Sequence, residues 1–385
     1  MKLINLFIFL GIALTVHGLV NFYIFIRGWQ ALPKESYFRV PYLVIFLFLV
    51  LSYIAGRVLE RYSICVTSDY LIWIGSFWLG IMLYLFMGVL LCDILRLANW
   101  IAGVIPVPSD LYTKVKQFAA MAVAGTAVIT ILAGFYNTLH PRINTIAIDV
   151  PKAAGGRTSL DMALVTDIHL GTIISNSRLQ KMVDMVNVIR PDVVLLAGDI
   201  VDEDLAPIIQ NNLGDLLRTI RSKYGTYAVT GNHEYIGGVE QACRYLAENG
   251  VTVLRDRAVL IDNSFYLVGR EDRSIGQFVG KRRMPLESIM KQVDRALPVI
   301  MMDHQPFGLS EAARHSVDLQ LSGHTHHGQL WPFNYITRLI YEVSRGLSQI
   351  GGTNIYVSCG YGTWGPPARV GTIPEVVHIQ LRFKR

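Results

Sequence analysis

The sequence predicts four membrane-crossing helices followed by an α/β domain. Hydrophobic residues make up 52% of the 385 positions and charged residues only 17%, against about 25% charge in an ordinary soluble chain. Mean hydropathy is +0.37. The apolar excess sits in roughly the first 135 residues; behind it, short aliphatic runs alternate with helical segments, the pattern of α/β layering. This places a membrane domain over 1–145 and a globular domain over 146–385.

Four apolar stretches, at 3–26, 39–56, 71–95 and 117–136, meet the length of about 20 residues that a bilayer crossing needs. The first is too long for the apolar core of a secretory signal, about 7–15 residues, and lacks a small-residue cleavage site, so it reads as a retained helix. An even number of spans puts both ends of the membrane domain on one side. Arg27, Lys34, Arg39, Arg96, Lys114 and Lys116 flank one side, against Lys2, Arg57, Arg61 and Arg142 on the other, with Lys152 at the margin. This bias favours a multi-pass integral membrane protein whose C-terminal domain lies outside the cytoplasm. Polar groups within the spans are His17, Asn21 and Asp93, the last read as lying near a helix end and reaching water beside Arg96. With no charged stripe along the spans, anchoring is the simplest role for this region.

Residues 1–145 hold ten Lys/Arg against five Asp/Glu, so nearly all of the chain's net +6 belongs to membrane loops. The charge therefore gives no support to nucleic acid as a partner. The four cysteines, Cys65, Cys92, Cys243 and Cys359, form no CxxC pair, which removes zinc-finger and thioredoxin-type sites. Cys243 and Cys359 pair only if the fold brings them together.

In the second half the strand-like runs are "MALVTD" (162–167), "DVVLLAGD" (192–199), "GTYAVTGN" (225–232), "PVIMMDH" (298–304) and "VDLQLSGH" (317–324), with helical segments near 175–189, 206–221 and 238–248. Residues 331–353 fit no element and read as a loop over the site. Each run ends in an Asp, Asn or His: Asp167 and His169, Asp199, Asn232 and His233, Asp303 and His304, then His324 and His326. Strand carboxyl ends are where α/β sheets gather ligand sites, because short loops hold side chains rigidly there. Asp167 and His169, two apart, share a side on an extended backbone, and so do His324 and His326. Carboxylate, imidazole and one amide without thiolate suit Mn²⁺, Fe²⁺ or Zn²⁺, and suit neither an iron–sulfur cluster nor calcium. Singly, Asp167 reads equally well as a turn former and Asp199 as a cap. Together, seven such coincidences point to a metal site. His327 falls out of the alternation and reads as a supporting or surface residue, and Asp202 as structural support. Asp303 is a candidate acceptor for the second ring N–H of His304.

The ordered series DxH, GDxxD, GNHE, His304 and GHTH over about residues 158–383 resembles the calcineurin-like metallophosphoesterases. The resemblance implies an αββα four-layer sandwich with two divalent metal ions. Asp167, His169 and His326 would hold the first, and Asn232, His304 and His324 the second. Asp199 would bridge them, with His233 beside the site as proton donor or transition-state stabiliser. Metal-activated hydroxide would attack phosphorus. The run "GHTHHGQ" and the tail "SCGYGTWGPPARVGTIPEVVHIQL" (358–381) resemble a membrane-anchored bacterial-type branch of that family. There Arg369 is a candidate phosphate contact, or else a salt-bridge partner of Glu375. Arg270 is a second candidate contact, at a position where the branch usually carries a small or apolar residue. Lys281-Arg282-Arg283 reads as a solvated loop, with anionic lipid headgroups as the competing reading.

The expected activity is hydrolysis of a phosphodiester or pyrophosphate bond in a lipid-linked or cell-envelope substrate. The alternatives are a non-catalytic metal-binding membrane sensor or scaffold, and a hydrolase of a nucleotide-linked lipid on the cytoplasmic face.

Overall fold

The computed structural model describes residues 3–33 and 37–384; Lys2 and Lys34, used in the charge balance, lie outside them. Two compact units are present. One comprises the helices up to Tyr136 grouped with Gly365–Ala368, the other Asn137–Trp364 and Arg369 onward.

The first unit contains α1 (Leu3–Ala31), α2 (Arg39–Tyr62), α3 (Val66–Ala102) and α4, which runs to Thr138 from Asp110. All four are long and apolar enough to cross a membrane, and α3, at 37 residues, spans about 55 Å, well beyond a hydrocarbon core of about 30 Å. Gly56 and Gly75 let α2 and α3 close together. A Cβ on Gly56 would strike Ile72, and one on Gly75 would strike the Tyr53 backbone, the small-residue contact by which membrane helices approach each other. Asp93 pairs with Arg96 at 2.9 Å and also with Arg27 at 2.8 Å, and accepts from Tyr23 at 2.6 Å. Its charge is therefore matched within the bundle as well as at the helix end. Deeper in, Asn21 accepts from the Trp78 indole at 3.0 Å, so this buried amide is satisfied by a neighbouring helix.

The second unit contains twelve strands among the described residues. The first is β1 (Arg142–Val150), which precedes β2 (Ser159–Val165), α5 (Asn176–Ile189) and β3 (Val193–Ala197). Then come α6 (Ala206–Gln210), α7 (Leu213–Leu217), β4 (Thr226–Val229), α8 (Asn232–Gly237), α9 (Val239–Glu248), β5 (Val251–Val253), β6 (Arg257–Ile261) and β7 (Phe265–Gly269). The chain closes with α10 (Ile275–Phe278), α11 (Leu286–Met290), β8 (Val299–Met302), α12 (Ser310–Arg314), β9 (Leu319–Ser322), α13 (Phe333–Ile340), β10 (Gly346–Ile350), β11 (Thr353–Val357) and β12 (Glu375–Phe383). Residues 331–353 are thus a helix and part of a hairpin, not a structureless loop. The helix carries outward-facing apolar residues.

Two six-stranded sheets form, in the orders β1-β12-β2-β3-β4-β5 and β10-β11-β9-β8-β7-β6. Strands β2, β3 and β4 run parallel, as do β7, β8, β9 and β11. The run Val193–Ala197 is buried at every position, as expected for a parallel strand covered on both faces. Alternation sorts the β2 side chains. Leu160, Met162 and Leu164 pack between the sheets against Ile300, Met302 and Leu321, while Ala163 and Val165 face Leu179, Met182 and Val186 of α5. On the far side Val299 and Met301 pack on Leu286, Ile289 and Met290 of α11. Helix, sheet, sheet and helix therefore stack as the expected αββα sandwich. The four cysteines are free, so Cys243 and Cys359 form no bridge.

Candidate metal centre

The carboxyl ends of β2, β3 and β4 in one sheet, and of β8 and β9 in the other, meet at one place. There the loops carry Asp167, His169, Asp199, Asn232, His304, His324 and His326. Backbone bonds zip the first two loops together: Asp167 N–H to Gly198 O at 3.1 Å, His169 N–H to Asp199 O at 3.0 Å and Leu170 N–H to Ile200 O at 2.9 Å.

The shared orientation of the i, i+2 pairs does not come from extended backbone. Asp167, His169, Asp199, His324, His326 and His327 all adopt φ between +44° and +68°. That region costs an L-residue of order 1–3 kcal/mol and persists only where surrounding contacts over-determine it. The preceding glycines reflect the same crowding. At Gly198 a Cβ would strike the His304 ring, at Gly231 Asp199, and at Gly323 Asp167 and Thr166. Glycine before each of these donors is needed chiefly for space; only Gly198 also requires positive φ.

Three overlapping groups place single donor atoms within 4.8 Å of one another: Asp167/His169/His326, His169/Asp199/His233 and Asp199/His304/His324. His169 Nε2 lies 3.1 Å from His326 Nε2. Asp199 Oδ2 lies 3.0 Å from His304 Nε2 and 4.0 Å from His169 Nε2, and Asp199 Oδ1 accepts the His233 backbone N–H at 2.8 Å. Burial works to raise the Asp199 carboxyl, yet His304 and His233 beside it, when their rings are protonated, hold it well below the usual carboxylate range.

The chemistry of this set fits divalent cations. His304 Nδ1 donates to the Ala197 carbonyl at 2.8 Å, which leaves Nε2 to offer its lone pair toward the Asp199 carboxylate. When that ring is neutral, two electron-rich atoms held this close call for a positive charge between them, which a proton or a divalent cation supplies. Asp167 Oδ2, Asn232 Oδ1 and His304 Nε2 are all buried without a hydrogen-bond partner, an expensive arrangement unless a ligand satisfies them. The Ala197 carbonyl takes the orienting role that the sequence offered to Asp303. Asp303 instead receives the Arg283 guanidinium on both oxygens, at 2.9 and 3.0 Å, so Arg283 is not part of a solvated basic loop.

His233 stands over the cluster with Nδ1 3.0 Å from Asp202 Oδ1 and the Trp364 ring against it at 5.8 Å between centroids. Burial opposes its charge, but Asp199 and Asp202 raise its pKa to about 9. His327 is buried, not superficial; its Nδ1 meets Ser344 Oγ at 3.1 Å, and burial together with Arg345 and Arg338 pushes it down to about 4. Arg369 is 1% exposed, with Nε and Nη2 on the Gly362 carbonyl and Nη2 3.1 Å from His326 Nδ1. Its alternative partner Glu375 accepts instead from Ser358, Tyr356, Asn144 and the Cys359 N–H. Arg270 is not drawn into the cluster: it is 2% exposed, with Nε on Asp256 at 3.3 Å and Nη2 on the Met284 carbonyl.

One residue went unassigned in the sequence although its motif was quoted. Glu234, 1% exposed, accepts four backbone N–H groups, from Asp199, Ile200, Val201 and Gly231 at 2.6–3.1 Å. It ties the loop carrying Asp199 to the loop carrying Asn232. Its position as the last letter of "GNHE" was the only signal, and the four donors come from segments that only the fold assembles.

Fold and donor set together define a metal-dependent hydrolase. The profile of the Calcineurin-like phosphoesterase family matches residues 161–328. The chain is 35% identical over 262 residues to a metallophosphoesterase of Aquifex aeolicus, covering 66% of this chain and 98% of that one. It is 32% identical over 302 residues to a Bos taurus transmembrane protein with metallophosphoesterase domain, covering 74% and 67% respectively. With a metallophosphoesterase of Campylobacter jejuni it shares 28% identity over 384 residues, 98% of this chain and 99% of the relative. The chain belongs to the calcineurin-like metallophosphoesterase family and is a metal-dependent phosphoesterase.

Replacing Glu234 with Gln puts an amide N–H₂ against backbone donors and removes the charge that four N–H groups solvate. A loss of about 2 kcal/mol is expected, with weaker retention of divalent metal. Thermal unfolding and metal content of the purified full chain check this; wild-type values on both would remove Glu234 from this role.

Proposed function

We propose that this membrane-anchored protein is a two-metal phosphohydrolase that cleaves a phosphodiester or pyrophosphate bond in a lipid-linked or cell-envelope substrate. The observation that carries the reading is the placement of Asp199 between two donor sets, His169 with Asp167 and His326 on one side and His304 with His324 on the other. Asn232, whose Oδ1 is buried and unpartnered, completes the second set. Bound divalent ions, of which Mn, Fe and Zn all suit these donors, would polarise the phosphoryl oxygens and make water nucleophilic near neutral pH.

The chain's own residues supply the rest. Asp199 contributes the charge shared by both sets. Ala197 O holds His304 in one tautomer, through Nδ1. His233, its Nδ1 facing Asp202, keeps a protonated imidazole near neutral pH and delivers that proton to the leaving oxygen. Arg369, close behind His326, positions that ring and adds positive charge near the phosphate. Arg270, held by Asp256 through Nε and by the Met284 carbonyl through Nη2 while Nη1 is buried without a partner, is assigned to holding its loop. The excess of basic residues around 27–39 and 96–116 supports placing the catalytic domain outside the cytoplasm; protease accessibility in sealed vesicles of known orientation tests that side.

Asp199→Asn should lose metal from both donor sets and nearly all turnover. Metal content is to be measured beside hydrolysis of an aryl phosphodiester with Mn²⁺, Fe²⁺ and Zn²⁺ added back singly. Full turnover by the variant would overturn the assignment, and binding of a single equivalent of metal by the wild type would overturn the two-metal part alone.

The role of His233 predicts a pH effect. Activity needs the protonated ring, so it falls as pH rises through the His233 pKa. Asp202→Asn removes a carboxylate that raises that pKa, and the alkaline limb of kcat/KM should move to lower pH by about one unit. His233→Asn should cost roughly 10²–10⁴-fold with a poor alkyl leaving group and far less with p-nitrophenolate. An unmoved alkaline limb, or equal losses on both substrates, would exclude His233 as the acid.

A further inference from the structure

We propose that α13 is an interfacial helix that lays its outward face into the headgroup region of the lipid bilayer. This adds to the phosphoesterase reading and does not depend on it.

The helix is built inside out for a water-facing element. Among Phe333–Ile340 no residue is buried. The half-buried positions include the polar Asn334 and Thr337 but none of the large apolar residues, which point outward. Leu339 is 88% exposed, Ile340 56%, Tyr335 54%, Ile336 50% and Phe333 40%. A surface helix normally turns its apolar stripe to the core, and the other exposed apolar residues of this unit, such as Val188 on α5 and Ile209 on α6, are scattered singly. Five within eight residues make a contiguous patch, which marks an interaction surface.

The choice of a bilayer over another occupant rests on three points. Only residues 139–141 separate the last apolar helix from β1, so any bilayer that holds that helix lies within reach of the second unit, whatever its orientation. The face mixes aromatic with aliphatic side chains and is flanked by exposed Arg338 and Arg345, the composition of helices that sink into the acyl–headgroup boundary beside anionic lipid. The helix is also fixed to the unit at both ends. Gly328 packs so closely on the Phe333–Asn334 backbone that a Cβ there would collide with it. Beyond its other end, the Tyr341 ring lies against Phe307 and His324, with centroids 4.8 and 6.0 Å away, and Ser344 O accepts from Thr325. Seating α13 in the headgroup plane would therefore fix the distance between the metal centre and that plane, as a phosphate carried on a lipid requires.

The test uses the full chain in vesicles of phosphatidylcholine and phosphatidylglycerol, with a fluorescent amino acid placed genetically at Leu339 or, as control, at the exposed Val188 of α5. The expected result is blue-shifted emission at 339 that brominated acyl chains quench at least about twofold more strongly than emission at 188. With the reporter at Tyr335, Ile336→Asp combined with Leu339→Asp should reduce quenching to the level seen at 188. Equal quenching at 339 and 188 would overturn the proposal. So would an emission change at 339 that follows protein concentration rather than lipid, which would mean that a second copy covers the face. Neither readout needs turnover, so absence of phosphodiester hydrolysis would leave this inference standing, and its failure would leave the phosphoesterase reading intact.

Discussion

The carboxylate of Asp199 is 2% exposed and is faced by imidazoles from two other segments. A buried charge of this kind is tolerated only when it is paired and hydrogen-bonded, and much of the local architecture serves that requirement. Its Oδ1 accepts the His233 N–H, its own N–H and those of the next two residues are held by Glu234, and its Oδ2 looks at His304. Two carboxylates, Asp199 and Glu234, thus sit back to back in the interior. They share their surroundings without sharing a function: one is solvated by backbone donors, the other turned toward donors of lone pairs. Burial and the neighbouring Asp199 push the Glu234 carboxyl upward, while the N–H groups of Val201 and Gly231 work against that rise. The backbone thus opposes the cost of keeping Glu234 ionised, leaving the carboxylates of Asp199 and Asp167 as the buried charges turned toward the donor set.

Strain and glycine placement follow from the same crowding. Donors from five strand ends converge on a volume small enough that their backbones approach one another directly, and the ring of His304 lies where a side chain at Gly198 would be. Six site residues consequently take left-handed φ values. The cost is spread over loops that leave buried strands, such as Val193–Ala197 and Leu319–Ser322, and lead into helices. A rigid two-sheet frame is what allows that strain to persist, since a free loop would relax it.

The alternation of aliphatic runs with polar ends was legible in the sequence because strands buried on both faces are mostly aliphatic until they emerge, with Gln320 of β9 a buried exception. An α/β layering and the strand-end positions of the donor residues followed from it, whereas the four-layer αββα order came from the family resemblance. What was not legible is where one interaction spans segments distant in sequence. The pairing of Asp303 with Arg283 and the support of His304 by the Ala197 carbonyl depend on which way a strand end turns, which periodicity does not encode. The i, i+2 argument placed Asp167 and His169 together, as the structure does, but for a wrong conformational reason: left-handed backbone, not extended backbone, brings their donors to one place. Glu234 was invisible because its partners are backbone groups, which carry no residue identity.

The segment around α13 escaped assignment for the opposite reason. Its apolar residues recur at helical spacing, as a core-facing helix would have them, yet they face out while Asn334 and Thr337 are partly covered. Periodicity reports that a helix has two faces; it does not say which solvent each face meets. In a chain with four apolar helices, an inverted surface helix gains stability where its surroundings are not bulk water. By the usual coefficient of about 25 cal/mol per Å² of apolar surface, leaving five large side chains in water would forgo several kcal/mol that lipid contact recovers. If α13 meets lipid as proposed, the candidate metal centre lies one helix end away from that interface through Tyr341 and His324, and access to the site would then be a question of membrane geometry as much as of pocket chemistry.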